Sequence, residues 1–270
     1  MQQGQEKFNT KVMPTWCPGC GNFGIWAALK KALLDLGLEP HQVLMTYDIG
    51  CFGNGANFFK TYGFHSLHGR ALPPAVGAKI FNRKLTVMAL AGDGGAYGEG
   101  LQHFIHAARY NVDVTFLVAN NQRFSLTTGQ ASPTTKKGII TKTTPWGEIK
   151  TPLNPLALAI ESGAGLVARG FAGDIVHLTE IIKVAIEHKG FSHVDILQPC
   201  VSFNPEQSYE WYRGVIYKLE EHKYIPDDKR RALEKAWEFE ESGKMPTGIF
   251  YKEEKESYEE GLQKVKNKEE

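Results

Sequence analysis

Every cysteine of this 270-residue chain belongs to one set: Cys17 and Cys20 form a Cys-x2-Cys pair, and Cys51 and Cys200 follow at long range. Thiols spaced this way point to a metal centre. Each sits among turn residues, in Trp16-Cys17-Pro18-Gly19-Cys20-Gly21, Gly50-Cys51-Phe52-Gly53 and Gln198-Pro199-Cys200. Glycine and proline at these places let the backbone wrap an ion or cluster and turn amide N–H groups toward thiolates. Taken alone, the four cysteines suit a four-thiolate zinc site as well as a [4Fe–4S] cluster. Four unrelated buried thiols are a poorer reading, because buried cysteines normally sit inside apolar elements. Disulfides are poorer still: Met1–Thr10 carry no secretory pattern, so a reducing cytoplasm is the expected location.

A second constellation lies past two strand-like runs. Leu85–Ala91 leads into Gly92-Asp93-Gly94-Gly95, and Val112–Ala119 ends at Asn120-Asn121. With a helix from about Gly98 to Tyr110 between them, the runs predict a right-handed βαβ unit. Asp93 and Asn121 would then face one crevice at the carboxyl edge of a parallel sheet. A helix opening after Gly94-Gly95 offers free N–H groups and a positive dipole end to a diphosphate, and a carboxylate with an amide oxygen beside it suits Mg²⁺. By itself this short motif reads at least as well as a helix cap at Asp93 and a plain turn at Asn120-Asn121.

The elements that must position these groups follow an α/β pattern: short β-branched runs alternate with amphipathic or glycine-opened segments. Phe23–Leu36, Pro73–Phe81 and Gly173–Lys189 read as helices; Val43–Tyr47 and Val194–Leu197 read as strands, the latter delivering Cys200. With 42% hydrophobic residues the chain can bury a substantial core. Thirty-one basic residues against thirty acidic ones imply no field for nucleic acid or anionic membrane. The longest apolar runs fall far short of the roughly 20 residues of a membrane helix. Composition changes at Lys218, since 27 of the last 53 residues are charged against 34 of the preceding 217. The expected division is therefore a cofactor-binding body, 1–217, and a charged helical extension, 218–270. In the extension Asp227-Asp228 would cap a helix from Lys229 to about Ser242; the charge run reads equally as a solvated helical surface or a partner-wrapping arm, and Trp237, Phe239, Phe250 and Tyr251 tip it slightly toward docking.

The motifs in order strengthen the reading. Trp16-Cys17-Pro18-Gly19-Cys20-Gly21, Ile49-Gly50-Cys51, Leu67-His68-Gly69-Arg70-Ala71-Leu72-Pro73, Gly92-Asp93-Gly94, His106-Ala107-Ala108-Arg109, Asn120-Asn121, Thr128-Gly129-Gln130 and Ser132-Pro133-Thr134-Thr135 occur in family order. Over about residues 12–205 the chain resembles the β subunit of a 2-oxoacid:ferredoxin oxidoreductase. The resemblance implies a thiamin-diphosphate-binding fold, a mostly parallel sheet flanked by helices, carrying the diphosphate half of the thiamin site and one [4Fe–4S] cluster. Cys17, Cys20, Cys51 and Cys200 would be the cluster ligands. Asp93, Asn121 and the backbone carbonyl of Arg123 would hold Mg²⁺, and Gly94, Gly95, Ser125 and Leu126 would offer backbone to the diphosphate. Ile49, Gly50, Cys51 and Phe52, with His68 and Gly69, would line the thiazolium, His68 positioning the diphosphate or intermediate.

The implied reaction is oxidative decarboxylation of a 2-oxoacid such as pyruvate or 2-oxoglutarate, with coenzyme A taking the acyl group and ferredoxin the electrons. The family places the glutamate that activates the thiamin on another subunit, and this chain offers none, so an α (or α–γ) partner is expected. Gly95 and Phe124 depart from the residues common in relatives, as does Asn54, which stands where a basic residue is frequent. The rival readings are a cluster-free thiamin decarboxylase with structural zinc, and a non-catalytic Fe–S electron-transfer subunit. His103 and His106, three residues apart on one helix, read as packing residues.

Overall fold

The computed structural model describes residues 4–267. Its helices are α1 (Asn22–Asp35), α2 (Leu72–Phe81), α3 (Leu101–Tyr110), α4 (Pro155–Glu161), α5 (Ile175–Glu187), α6 (Tyr209–Val215), α7 (Lys229–Ser242) and α8 (Tyr258–Lys266). Its strands are β1 (Val43–Tyr47), β2 (Tyr62–His65), β3 (Thr86–Gly92), β4 (Thr115–Asn120), β5 (Arg123–Phe124), β6 (Gln130–Ala131), β7 (Leu166–Phe171), β8 (Ser192–Leu197), β9 (Ile216–Lys218) and β10 (Met245–Lys252). Eight strands form one sheet in the order β2-β1-β3-β4-β8-β7-β10-β9, parallel from β2 to β7. β5 and β6 form a separate small hairpin.

The interiors of β3 and β4 are continuous apolar runs because helices cover both faces of the sheet. On one face Ala75 of α2, Phe104 of α3, Ile160 of α4 and Ala236 of α7 pack over Val87, Phe116 and Val167. On the other, Ile25 and Leu29 of α1 join Leu178 and Ile182 of α5 over Met88, Leu117 and Val194. The parallel arrangement carries the ends of β1, β3, β4 and β8 to one edge, where the expected site loops lie. No helix among the described residues is long and apolar enough to cross a membrane.

The charged segment after residue 217 is woven into this frame. Asp228 caps α7 by accepting from the Arg231 N–H at 2.8 Å, and Gly243 ends the helix with a left-handed φ of 68°. Two residues past that stop, Met245 opens β10, which runs antiparallel to β7. That pairing points Phe250 into the core, where it is fully buried, and Phe239 packs edge-on against Trp211. Of the four aromatics expected to dock on a partner, Trp237 is the one that stays 42% exposed. α8 is tied back to the turn after α3 by the Asp113 N–H donating to Glu259 Oε2 at 3.1 Å.

Candidate active site

The loop after β1 is shaped by Asp48. Its Oδ1 accepts the N–H groups of Ile49 and Gly69, both at 2.7 Å, joining the Ile49–Phe52 segment to the His68-Gly69 loop. Burial raises the pKa of this carboxyl, and its Oδ2 is enclosed without a partner. Oδ2 stands where a side chain on Gly95 would go, and the Phe124 ring occupies the corresponding space beside Gly94. Both motif glycines are therefore demanded by close approach.

Asp93 follows β3 and is 1% exposed. Its Oδ2 accepts from the hydroxyls of Ser132 and Thr134 at 2.5 and 2.6 Å. Those hydroxyls favour the ionised form, yet burial outweighs them and lifts the carboxyl to about 6. The next turn, Gly95–Glu99, is wound as π-helix before α3 begins. Across the cleft, Asn121 Oδ1 accepts the Arg123 N–H at 2.9 Å, while the Arg123 guanidinium is drawn to the Gln122 carbonyl and Asn204. The cleft is bordered by Asp93, Asn121 and Arg123, by Gly94 and Gly95, by Ile49, Gly50, Cys51 and Phe52, and by His68, Ser125 and Leu126. Gly69 lies outside this lining and contributes through its bond to Asp48. His68 packs against the Phe124 ring, with Nδ1 at 3.2 Å from Glu99 Oε2 but not aligned for a hydrogen bond.

The four cysteines converge on an adjoining cavity of about 190 Å³. Cys20 and Cys200 are each 8% exposed, and Cys17 lies at the surface. Three loops are laced together there: the Gly21 N–H donates to the Pro199 carbonyl at 3.1 Å, and Trp16 Nε1 to the Cys51 carbonyl at 2.6 Å. Polar groups also face the sulfurs: Gln198 Nε2 donates to Cys20 Sγ at 3.2 Å, and Ser125 Oγ shares a hydrogen bond with Cys200 Sγ at 3.3 Å. Burial, then the neighbouring thiols, push Cys20 up to about 12, and burial pushes Cys51 up to about 11. Among the described residues no group of three or more His, Cys, Asp or Glu side chains is arranged to hold a metal ion. Asn54 borders the thiol cavity and not the cleft, and His103 and His106 border neither.

Cys51, Asn121, Ser125, Leu126 and Gln198 border both spaces, so one wall separates cleft from thiols. Gln198 was legible only as a turn residue beside Cys200, and Ser132 and Thr134 only as part of a motif. Their positions around Asp93 and Cys20 depend on chain crossings that short-range sequence does not encode.

Comparison with known proteins bears on the family and the fold. Residues 44–196 match the family model of the thiamine pyrophosphate enzyme C-terminal TPP binding domain, and residues 200–267 match the model of the C-terminal part of the pyruvate ferredoxin oxidoreductase β subunit. A Saccharolobus solfataricus protein named 2-oxoacid:ferredoxin oxidoreductase subunit beta is 45% identical over 251 residues, covering 88% of this chain and 82% of that one. The chain belongs to the 2-oxoacid:ferredoxin oxidoreductase β subunits. An Aeropyrum pernix relative, 2-oxoacid:ferredoxin oxidoreductase 1 subunit beta, is 41% identical over 96% of this chain and 85% of its own. A solved 2-oxoglutarate:ferredoxin oxidoreductase from Magnetococcus marinus, with 2-oxoglutarate, coenzyme A and succinyl-CoA bound, superposes with a TM-score of 0.94 at 34% identity, over 99% of this chain and 91% of that one. As a β subunit with a thiamin-diphosphate-binding domain, this chain is one part of a multi-subunit oxidoreductase.

Proposed function

We propose that this subunit takes part in the coenzyme A-dependent oxidative decarboxylation of a 2-oxoacid, pyruvate, 2-oxoglutarate or a similar acid, with ferredoxin as electron acceptor. The observation that carries the reading is the wall shared by the cleft and the thiol cavity, with Cys51 in both. Thiamin diphosphate, when bound, supplies the electron sink for decarboxylation. The residues suit its diphosphate and Mg²⁺: Asp93, Asn121 and the Arg123 carbonyl would hold the ion, and the Gly94-Gly95 turn would let phosphate approach backbone. A [4Fe–4S] cluster, when bound, supplies one-electron transfer toward ferredoxin. The four thiols border one cavity and polar groups of Gln198 and Ser125 lie beside two of the sulfurs, a setting that suits a cluster held by four thiolates.

The cleft encloses only about 70 Å³, whereas pockets that enclose a whole ligand of this size run to roughly 300–1,000 Å³. This chain therefore offers half a site: residues 1–217 bear both sets of ligands, and the partner supplies the rest, including the glutamate against the aminopyrimidine. His68 is assigned to positioning the diphosphate end. The test is anaerobic purification with metal and sulfide analysis, calorimetry with thiamin diphosphate and Mg²⁺, and 2-oxoacid-dependent ferredoxin reduction with and without partner. About four iron and four sulfide per chain are expected, with cofactor binding lost in Asp93→Ala and turnover only in the complex. Stoichiometric zinc without sulfide, or full turnover by the isolated chain, would sink the reading.

A further inference from the structure

Arg169 of β7 stands beside Asp195 of β8, directly paired in register. Asp195, fully buried, is well supplied: Oδ1 accepts from Asn120 Nδ2 and Tyr97 Oη, both at 3.0 Å, and Oδ2 from Arg169 Nε at 3.3 Å. Arg169 is not. It is only 8% exposed, yet among the described residues neither of its Nη groups has a hydrogen-bond partner. A guanidinium carries five N–H donors in a rigid fork, and four of them sit on those two nitrogens. Neither nitrogen is sealed off; Arg169 borders a cavity of about 480 Å³ beneath α7.

The charges around that cavity are unequal. Lys136 and Lys137 border it from the exposed side, and neither forms an ion pair among the described residues. Glu240 stands on the same exposed side, and Asp195, the other carboxylate of the lining, is already engaged by Arg169. Three cations against two carboxylates leave an excess positive charge, with the best-desolvated donors at the bottom. Planar, bidentate recognition by arginine fits carboxylate and phosphate oxygens.

We propose that this cavity is a binding site for a small organic or inorganic oxyanion, its carboxylate or phosphate oxygens seated on the Arg169 fork with Lys136 and Lys137 over the entrance. It is separate from the cofactor cleft, since no residue borders both. Thr134 stands between them, bordering the cavity while its hydroxyl reaches Asp93. The site goes beyond the thiamin reading and does not depend on it.

The experiment is calorimetric titration of the full chain with inorganic phosphate and with citrate at constant ionic strength, repeated after saturation with thiamin diphosphate and Mg²⁺. Saturable binding that persists in the saturated protein is expected; phosphate alone binding would assign a phosphate ligand, citrate alone a carboxylate. Lys136→Gln with Lys137→Gln should weaken it about tenfold. Arg169→Gln should weaken it further, and because that change strands Asp195, Arg169→Gln combined with Asp195→Asn removes both charges together. No saturable binding of either anion, binding abolished by the saturated cleft, or affinity unchanged in the Arg169→Gln/Asp195→Asn protein would each overturn the proposal. Failure of thiamin diphosphate itself to bind would count against the cleft alone, and the variants would still decide the cavity.

Discussion

The indole of Trp16 donates to the main-chain carbonyl of Cys51 at 2.6 Å, so the residue that precedes the Cys-x2-Cys pair holds the loop that carries the third cysteine. Its ring is itself fixed edge-on between Phe23 and Phe58, with centroids at 5.3 and 5.0 Å. Trp16→Phe keeps most of this packing and removes the donor. A neutral hydrogen bond contributes about 1 kcal/mol, so bleaching of the proposed [4Fe–4S] cluster in air should quicken roughly fivefold while thiamin diphosphate affinity changes little. The measurement is visible absorbance against time, beside calorimetry; an unchanged bleaching rate would show that the bond does not hold the loop.

Two glycines should respond to alanine with opposite signs. A methyl on Gly95 overlaps the buried Asp48 Oδ2, and Asp48 cannot retreat without releasing Ile49 and Gly69. Gly95→Ala is expected to lose about 1–3 kcal/mol of stability and at least tenfold in cofactor affinity. Gly77 lies within α2, where an added Cβ meets nothing within 4 Å. Gly77→Ala should stabilise by about 0.5–1 kcal/mol. Chemical denaturation of both proteins decides it, and equal effects would remove the steric argument.

The apolar runs at the heart of β1, β3 and β4 were visible in sequence because helices bury both faces of these strands, and the glycine motifs marked the end of β3; β8 was legible only over Val194–Leu197, because Ser192, His193 and Asp195 interrupt its apolar pattern. The helix from Lys229 to Ser242 was visible through its Asp228 cap and Gly243 stop. β10 was not, since Met245–Lys252 contains Pro246 and Gly248 and is followed by a charged run; only its pairing with β7 explains Phe250 in the core. The four cysteines were legible as one set, whereas their meeting at one cavity depends on how distant loops cross. What sequence could not supply was the placement of Ser132, Thr134 and Gln198, whose roles arise where distant segments cross.

Thr134 is expected to act on Asp93 through one proton. Its hydroxyl lies 2.6 Å from Asp93 Oδ2 and 2.9 Å from Asn120 Oδ1. It can donate to only one of them at a time, and an ionised carboxylate is the stronger acceptor. Hydrogen bonds to charged groups contribute about 1.5–3 kcal/mol, so Thr134→Val should lower thiamin diphosphate affinity, measured with Mg²⁺ present, by roughly tenfold or more. Thr134→Ser keeps the hydroxyl and should restore most of it. Calorimetry on the pair tests this, and a serine variant as weak as the valine one would make the effect one of packing.

His193 should make acid destabilise this protein. The ring is fully buried beside Phe104, centroids 4.7 Å apart, with Nε2 at 3.2 Å from Tyr97 Oη, and burial lowers its pKa from 6.5 to about 4. The unfolded chain therefore binds this proton more readily. The contribution is complete above pH 6.5 and is lost as pH falls toward 4, and over that window it amounts to about 3 kcal/mol. Asp93 works in the opposite direction, because its carboxyl is raised to about 6 and its buried charge costs stability as pH rises through that value. A wild-type profile would show the two partly cancelling. The informative quantity is the difference between wild type and His193→Gln in urea denaturation, measured from pH 7 down to 4.5. Asp93 is common to both proteins, so the stability difference should shrink by about 2 kcal/mol over that range; parallel profiles would mean that His193 does not carry the acid sensitivity.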